Sequence, residues 1–191
     1  MAKNTSPTHV ITGKCRLSYA HIWEPSRMSE DDPLKYSACI IIPKKDAATL
    51  AKIETATQTA IQDGIKAKWK GKRPANLKLP LRDGDEERPD DPAFQDSYFL
   101  NANAKRKPTI VDLARNHISD EDHEKVYSGC YCRFAIDFYP FNGKQNGVAV
   151  GLSNVQLVRD GEPLGGGSRA EDDFDDDYMD EESESELADI L

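Results

Sequence analysis

The chain has 191 residues, with 34 Asp plus Glu against 25 Lys plus Arg and a net charge of -9. That length supports one domain with a sizeable core or at most two small ones, of which one is the better fit, and the net charge taken alone argues against a polyanionic partner. The acidity is unevenly spread, however: residues 170–191 hold twelve Asp or Glu and no Lys or Arg, which leaves 22 acidic against 25 basic in residues 1–169, a net +3. A mildly basic body with a solvated acidic appendage is the pattern of a polyanion-binding protein.

The first ten residues lack the apolar core of a secretory signal, and no run approaches the length of a membrane span, so a cytosolic protein without a membrane partner is expected. From Val10 the stretch VITGKCRLSYAHIW alternates, with Ile11, Cys15, Leu17 and Tyr19 on one row and Thr12, Lys14, Arg16 and Ser18 on the other. That predicts a half-buried strand with a basic outer face. A turn-rich segment, EPSRMSEDDP, leads to KYSACIIIP, whose β-branched run suits a buried strand closed by Pro43.

Asp46 stands where an N-cap belongs, and Leu50, Ile53, Thr57, Ile61 and Ile65 recur at helical spacing, predicting an amphipathic helix over 46–69 that Gly64 weakens near its end. KAKWKGKRP follows as a basic cluster around Trp69, and LPLRDGDEERPDDP reads as a long surface loop. DSYFLNANAKRKPTIVD predicts a third strand, bent or interrupted near Pro108. Ser119 with Asp122 matches a capping box and predicts a short helix over 119–127, with Gly129 at its end. CYCRFAIDFYP and VAVGLSNVQLVRDG then flank NGKQNG as a β-hairpin.

On the first hairpin strand Cys130, Cys132, Phe134, Ile136 and Phe138 form a core row. The opposite row of Tyr131, Arg133, Ala135, Asp137 and Tyr139 is neither a clean solvent face nor a second core. The order of elements predicts a mainly β chain with inserted helices (α+β), an OB-fold-like five-stranded barrel over residues 1–163, because a parallel sheet would need a helix between every pair of strands. Residues 164–169 read as a Gly-rich linker, and residues 170–191 carry too much charge and too few apolar side chains to fold alone, so a disordered acidic tail is expected.

Catalysis has little support. His117 and His123 lie beside Asp120, Glu121, Asp122 and Glu124, but their spacing matches no zinc or calcium pattern, and a solvated capping turn explains them. No P-loop, G-x-S-x-G or H-E-x-x-H occurs, so no enzyme, metal or cofactor is expected. The cysteines, Cys15, Cys39, Cys130 and Cys132, read as small core hydrophobes in a reducing compartment.

Nucleic-acid binding has more. Single-strand binders combine a basic groove for the backbone with aromatic rings on which bases stack. Lys14 and Arg16, Trp69 with Lys70, Lys72 and Arg73, the triplet Lys105, Arg106 and Lys107, and the row of Tyr131, Arg133 and Tyr139 all fit that description. Taken singly, each has a plainer explanation: the tyrosines could pack beneath a helix or loop, and the basic clusters could be ordinary solvated faces. Their joint occurrence with the acidic tail favours the binding reading.

KYSACIIIPKKDAATLAKI, YFLNANAKRKPTIVD, GCYCRFAIDFYPFNGKQNGVAVGLSNVQLVRDGEPLGG and the tail start AEDDFDD together resemble the phage single-stranded DNA-binding proteins long grouped as a domain of unknown function. The resemblance covers nearly the whole chain. It implies an OB-fold that coats single-stranded DNA in phage replication, recombination or repair in the host cytoplasm, with an acidic C-terminal tail that contacts replication or recombination proteins. Phe174, Tyr178, Leu187, Ile190 and Leu191 are the apolar candidates for that contact, although many single-strand binders end on an aromatic residue and this chain ends LADIL. The rival reading is an acidic interaction protein, a DNA mimic or assembly chaperone acting through its tail, but a mimic should be acidic throughout. Oligomeric state stays open, a homodimer included.

Overall fold

A computed structural model describes residues 6–165, so the tail candidates Phe174, Tyr178, Leu187, Ile190 and Leu191 lie outside the described residues. The first alternating segment forms two strands, β1 (His9–Ile11) and β2 (Cys15–Ser26), rather than one. They part at Gly13, whose amide donates to Thr49 Oγ1 at 2.9 Å and where a Cβ would sit 2.7 Å from Asp46 Oδ2. Along β2 the pairing slips between Ser18 and His21, and Tyr19 takes a left-handed backbone at φ +43°. The slip reverses the expected faces: Ser18 is buried and Tyr19 points outward, 54% exposed.

Strand β3 (Lys35–Pro43) sends Ala38, Ile40 and Ile42 into the barrel. Helix α1 (Ala47–Ala67) begins as expected, with the Asp46 carboxylate accepting from Thr49 N at 3.2 Å, and lays Ile53, Ala56, Ala60 and Ile61 over the core. Gly64 has a packing role, since a Cβ there would meet the Trp69 ring at 2.6 Å.

The segment expected as plain surface loop is ordered. It contains β4 (Arg82–Asp83), the short helix α2 (Gly84–Glu87) and a 3-10 turn at Pro92–Phe94. Phe94 meets Phe99 edge to face at 5.1 Å, and with Cys39 and Ile41 they form a small second core outside the barrel. Apolar side chains on the outward face of β3 and on β5 (Ser97–Ala104) need a cover, and this segment supplies it.

A turn at 105–108 separates β5 from β6 (Thr109–Val111), as the proline suggested. The expected capping box fails: Ser119 makes no capping hydrogen bond, and the turn that follows is a 3-10 helix, Asp120–Lys125. The hairpin is formed by β7 (Tyr131–Phe141) and β8 (Gly147–Arg159).

Strand pairing runs β2–β3–β5–β8–β7 and returns from β7 to β2, closing a five-stranded barrel. All its pairs are antiparallel except β5–β8, so the chain has the OB-type architecture, mainly β with inserted helices. Strand β1 adds to β7 at Ala135–Asp137, β6 adds to β8 and β4 to β5.

This arrangement explains the mixed second row of β7. Ala135 is buried opposite Ile11 of β1, and Asp137 accepts from Ser153 Oγ at 2.9 Å and contacts His9 Nδ1 at 2.7 Å. The four cysteines are free and buried, as expected. Burial pushes the Cys15 and Cys39 thiols up to about 12, so neither is a thiolate at neutral pH.

Candidate nucleic-acid interface

In an OB barrel the outer face of the second and third strands, with the loops joining strands 1–2 and 4–5, is the usual ligand surface. Those strands are β3 and β5 here, and the loops are residues 27–34 and 142–146. A cleft of about 750 Å³ opens at that place. Pro33 and Leu34 come from the first loop, Asn101, Asn103 and Lys105 from β5 and the turn beyond it, and Tyr139 and Phe141 from β7.

The charged side chains lining the cleft are Lys35, Lys78, Arg82 and Lys105, all basic. Lys35, Lys78 and Lys105 make no side-chain hydrogen bond or ion pair among the described residues, so their ammonium groups are available to an anion. Arg82 is held by Glu87, with Nε–Oε2 2.8 Å and Nη2–Oε1 3.0 Å, and its guanidinium lies 5.1 Å over the Phe99 ring.

Tyr139 supplies an aromatic surface at 47% exposure. Its ring lies beside Gly151 of β8, where an added Cβ would stand 3.8 Å from Tyr139 Cε1. Tyr139 and Lys105, both expected from the sequence, are therefore brought together.

A second hollow of about 370 Å³ lies across the tip of the β7–β8 hairpin, lined by Lys68, Lys70, Lys72, Arg73 and Asn142. The two hollows are joined by the chain itself: Lys78 N donates to Asn146 O and Val148 N to Lys78 O, each at 2.9 Å, strapping this segment along the hairpin. Lys70, Lys72 and Arg73 thus extend the basic surface beyond the cleft.

Trp69 does not. It borders the second hollow but is 6% exposed, packs into the main core, and its indole N–H donates to Phe141 O at 3.3 Å, so its ring is committed to the fold rather than to a base. An isolated tryptophan among lysines suggests a platform, but the missing side chain at Gly64 makes room for it inside.

Tyr131 and Tyr139 stand eight residues apart on β7, up to about 26 Å, and belong to different patches. Lys14, Arg16 and Arg159 lie 5.6, 5.7 and 4.7 Å from the Tyr131 ring centroid, so its faces already carry cations. Arg16 donates to Gly129 O and Glu162 O, and Arg133 to Thr12 O and Gln156 Oε1, which makes both of them tethers of the fold. Lys107 is paired with Asp120 and lies 5.4 Å over the Trp23 ring, whereas Arg106 is exposed.

Sequence reasoning missed Lys35, Lys78, Arg82, Phe141 and the two asparagines. Lys78 and Arg82 sit in what read as loop, and only the OB rule about strands 2 and 3 could have pointed to Lys35, Asn101 and Asn103.

The barrel and its cleft define an OB-fold protein with a basic, aromatic outer face. The chain belongs to the family described as Enterobacter phage Enc34, ssDNA-binding protein, whose model matches residues 8–186. It is 30% identical over 179 residues to protein p50 of Acyrthosiphon pisum secondary endosymbiont phage 1, a match spanning 88% of this chain and 94% of that one.

Several solved structures share the fold, among them the following two. The single-stranded DNA-binding protein from bacteriophage Enc34 in complex with ssDNA has a TM-score of 0.75 at 23% identity, covering 86% of this chain and 97% of that chain. Bacteriophage T7 gp2.5, a single-stranded DNA-binding protein, has a TM-score of 0.58 at 16% identity, covering 91% and 96%.

Proposed function

We propose that this protein binds single-stranded DNA without sequence specificity through the outer-face cleft, as a non-enzymatic coat in phage DNA replication, recombination or repair in the host cytoplasm. The observation that carries the reading is the cleft itself: every charged side chain lining it is basic, in a chain of net charge -9, and an exposed tyrosine stands among them. Phosphates meet Lys35, Lys78 and Lys105, while bases stack on Tyr139, each stack contributing ~1 to 3 kcal/mol. Membership of the Enc34 family and the ssDNA complex of the Enc34 relative support it.

The rest of the chain extends the reading. Residues 1–163 act as the binding domain, 164–169 as a linker and 170–191 as a tail that competes with DNA for the basic surface and, once displaced, offers Leu187, Ile190 and Leu191 to replication or recombination proteins. The test is a titration of labelled single-stranded oligonucleotide at low and moderate salt, beside a duplex of equal length. Single-strand binding that weakens with salt and exceeds duplex binding is expected, because duplex bases are already stacked on one another. No binding at low salt would overturn the reading and leave the acidic interaction protein in its place.

A further inference from the structure

Asn101 and Asn103 are alternate residues on β5, so their side chains leave the same face about 7 Å apart, and both line the cleft. Neither carboxamide has a hydrogen-bond partner among the described residues. Asn103 pairs in register with Gly151 of β8, and the Tyr139 ring lies against that glycine. A base stacked on Tyr139 therefore lies within reach of β5, where the asparagines stand.

From this juxtaposition we infer that Asn101 and Asn103 recognise the edge of the stacked base, so that the cleft distinguishes a nucleobase from mere polyanionic charge. The inference rests on the single-strand reading above. A carboxamide carries an acceptor oxygen and a two-donor nitrogen side by side, and rotation about its terminal torsion reverses their order. Each of the four bases presents an adjacent donor and acceptor on its Watson–Crick edge, so the same side chain serves all of them. The contact is base-dependent and sequence-tolerant at once. An aspartate in its place has acceptors only, and these suit the cytosine amino group but face two carbonyl oxygens around the single N3–H of thymine.

Three strands of equal length test the inference by fluorescence anisotropy: oligo(dT), oligo(dC) and an abasic deoxyribose-phosphate strand. The N101A/N103A double variant should bind both base-bearing strands about fivefold or more weakly, with the salt slope unchanged and abasic binding at the wild-type level. N103D adds a charge that weakens every strand alike, so its readout is a ratio: the preference for oligo(dC) over oligo(dT) should rise about fivefold or more above wild type. Wild-type binding to oligo(dT) and oligo(dC) by N101A/N103A, an equal loss on the abasic strand by that same variant, or an unchanged oligo(dC) to oligo(dT) ratio in N103D would overturn the inference while leaving the cleft as the binding site. Failure of the wild-type protein to bind any strand would instead overturn the single-strand reading itself. Asn101 is exposed and Asn103 half-buried at the surface, and thermal midpoints near wild type should accompany each result.

Discussion

The two tyrosines of β7 share a row and differ in role, because what surrounds a side chain decides its use. Tyr139 stands open beside Gly151, whereas Tyr131 is ringed by Lys14, Arg16 and Arg159. Tyr139→Ala should weaken single-strand binding by ~1 to 3 kcal/mol and leave its salt dependence unchanged, since stacking releases no counterions. Lys105→Ala should instead flatten the plot of log affinity against log salt by ~0.7, the share of one neutralised phosphate. Titrations at four salt concentrations separate the two effects. Trp69→Ala removes a buried core ring and should lower folding stability by ~3 to 5 kcal/mol, read by denaturant unfolding, before any effect on DNA is interpreted.

Among elements, the segment of residues 82–96 is held to the barrel by charge as well as by Phe94. Lys44 Nζ reaches Asp83 at 2.9 Å and Asp85 at 2.7 Å. The hydrogen bond from Lys44 is the main reason that both carboxyls sit below their ordinary value of 3.8. A carboxyl whose folded pKa is depressed adds stability that is fully present above the unfolded value and is lost as pH falls through the folded one. The wild-type thermal midpoint should therefore fall as pH drops below about 4, and Lys44→Met should remove the part of that fall owed to this pair, as a matched series of melting curves would show.

Just before β7, Gly129 has φ +120°, and a Cβ there would lie 2.1 Å from Glu162 O. Gly129→Ala should destabilise the fold by at least ~1 to 3 kcal/mol, the cost of backbone strain to which the clash with Glu162 O adds, and should raise hydrogen exchange in residues 161–164, where Leu164 N bonds to Ser128 O.

For the molecule as a whole, a basic surface and a twelve-acid tail share one chain. A tethered acidic segment acts at high local concentration, so deleting residues 170–191 should tighten single-strand binding at low salt, with a gain that shrinks as salt screens both polyanions. The same deletion should abolish capture of replication or recombination partners. Weaker DNA binding by the shortened chain would rule out competition, and undiminished partner capture would rule out docking through the tail.

By itself the sequence determined the succession of the five barrel strands along the chain, the helix that starts at Asp46, the hairpin, the burial of all four cysteines and the separation of a basic body from an acidic tail. Each of these follows from local periodicity, capping chemistry or composition, which need no knowledge of distant neighbours. Closure of the barrel decided the site. It set Lys35, Lys78, Arg82 and Lys105, 70 residues apart at their extremes, around one cleft with Tyr139, while it buried Trp69 and spent Arg16 and Arg133 on backbone carbonyls. Alternation along a strand states which side chains share a face, but whether that face meets water, another strand or a ring of cations depends on pairings over a hundred residues distant in the chain, such as Arg16 with Tyr131.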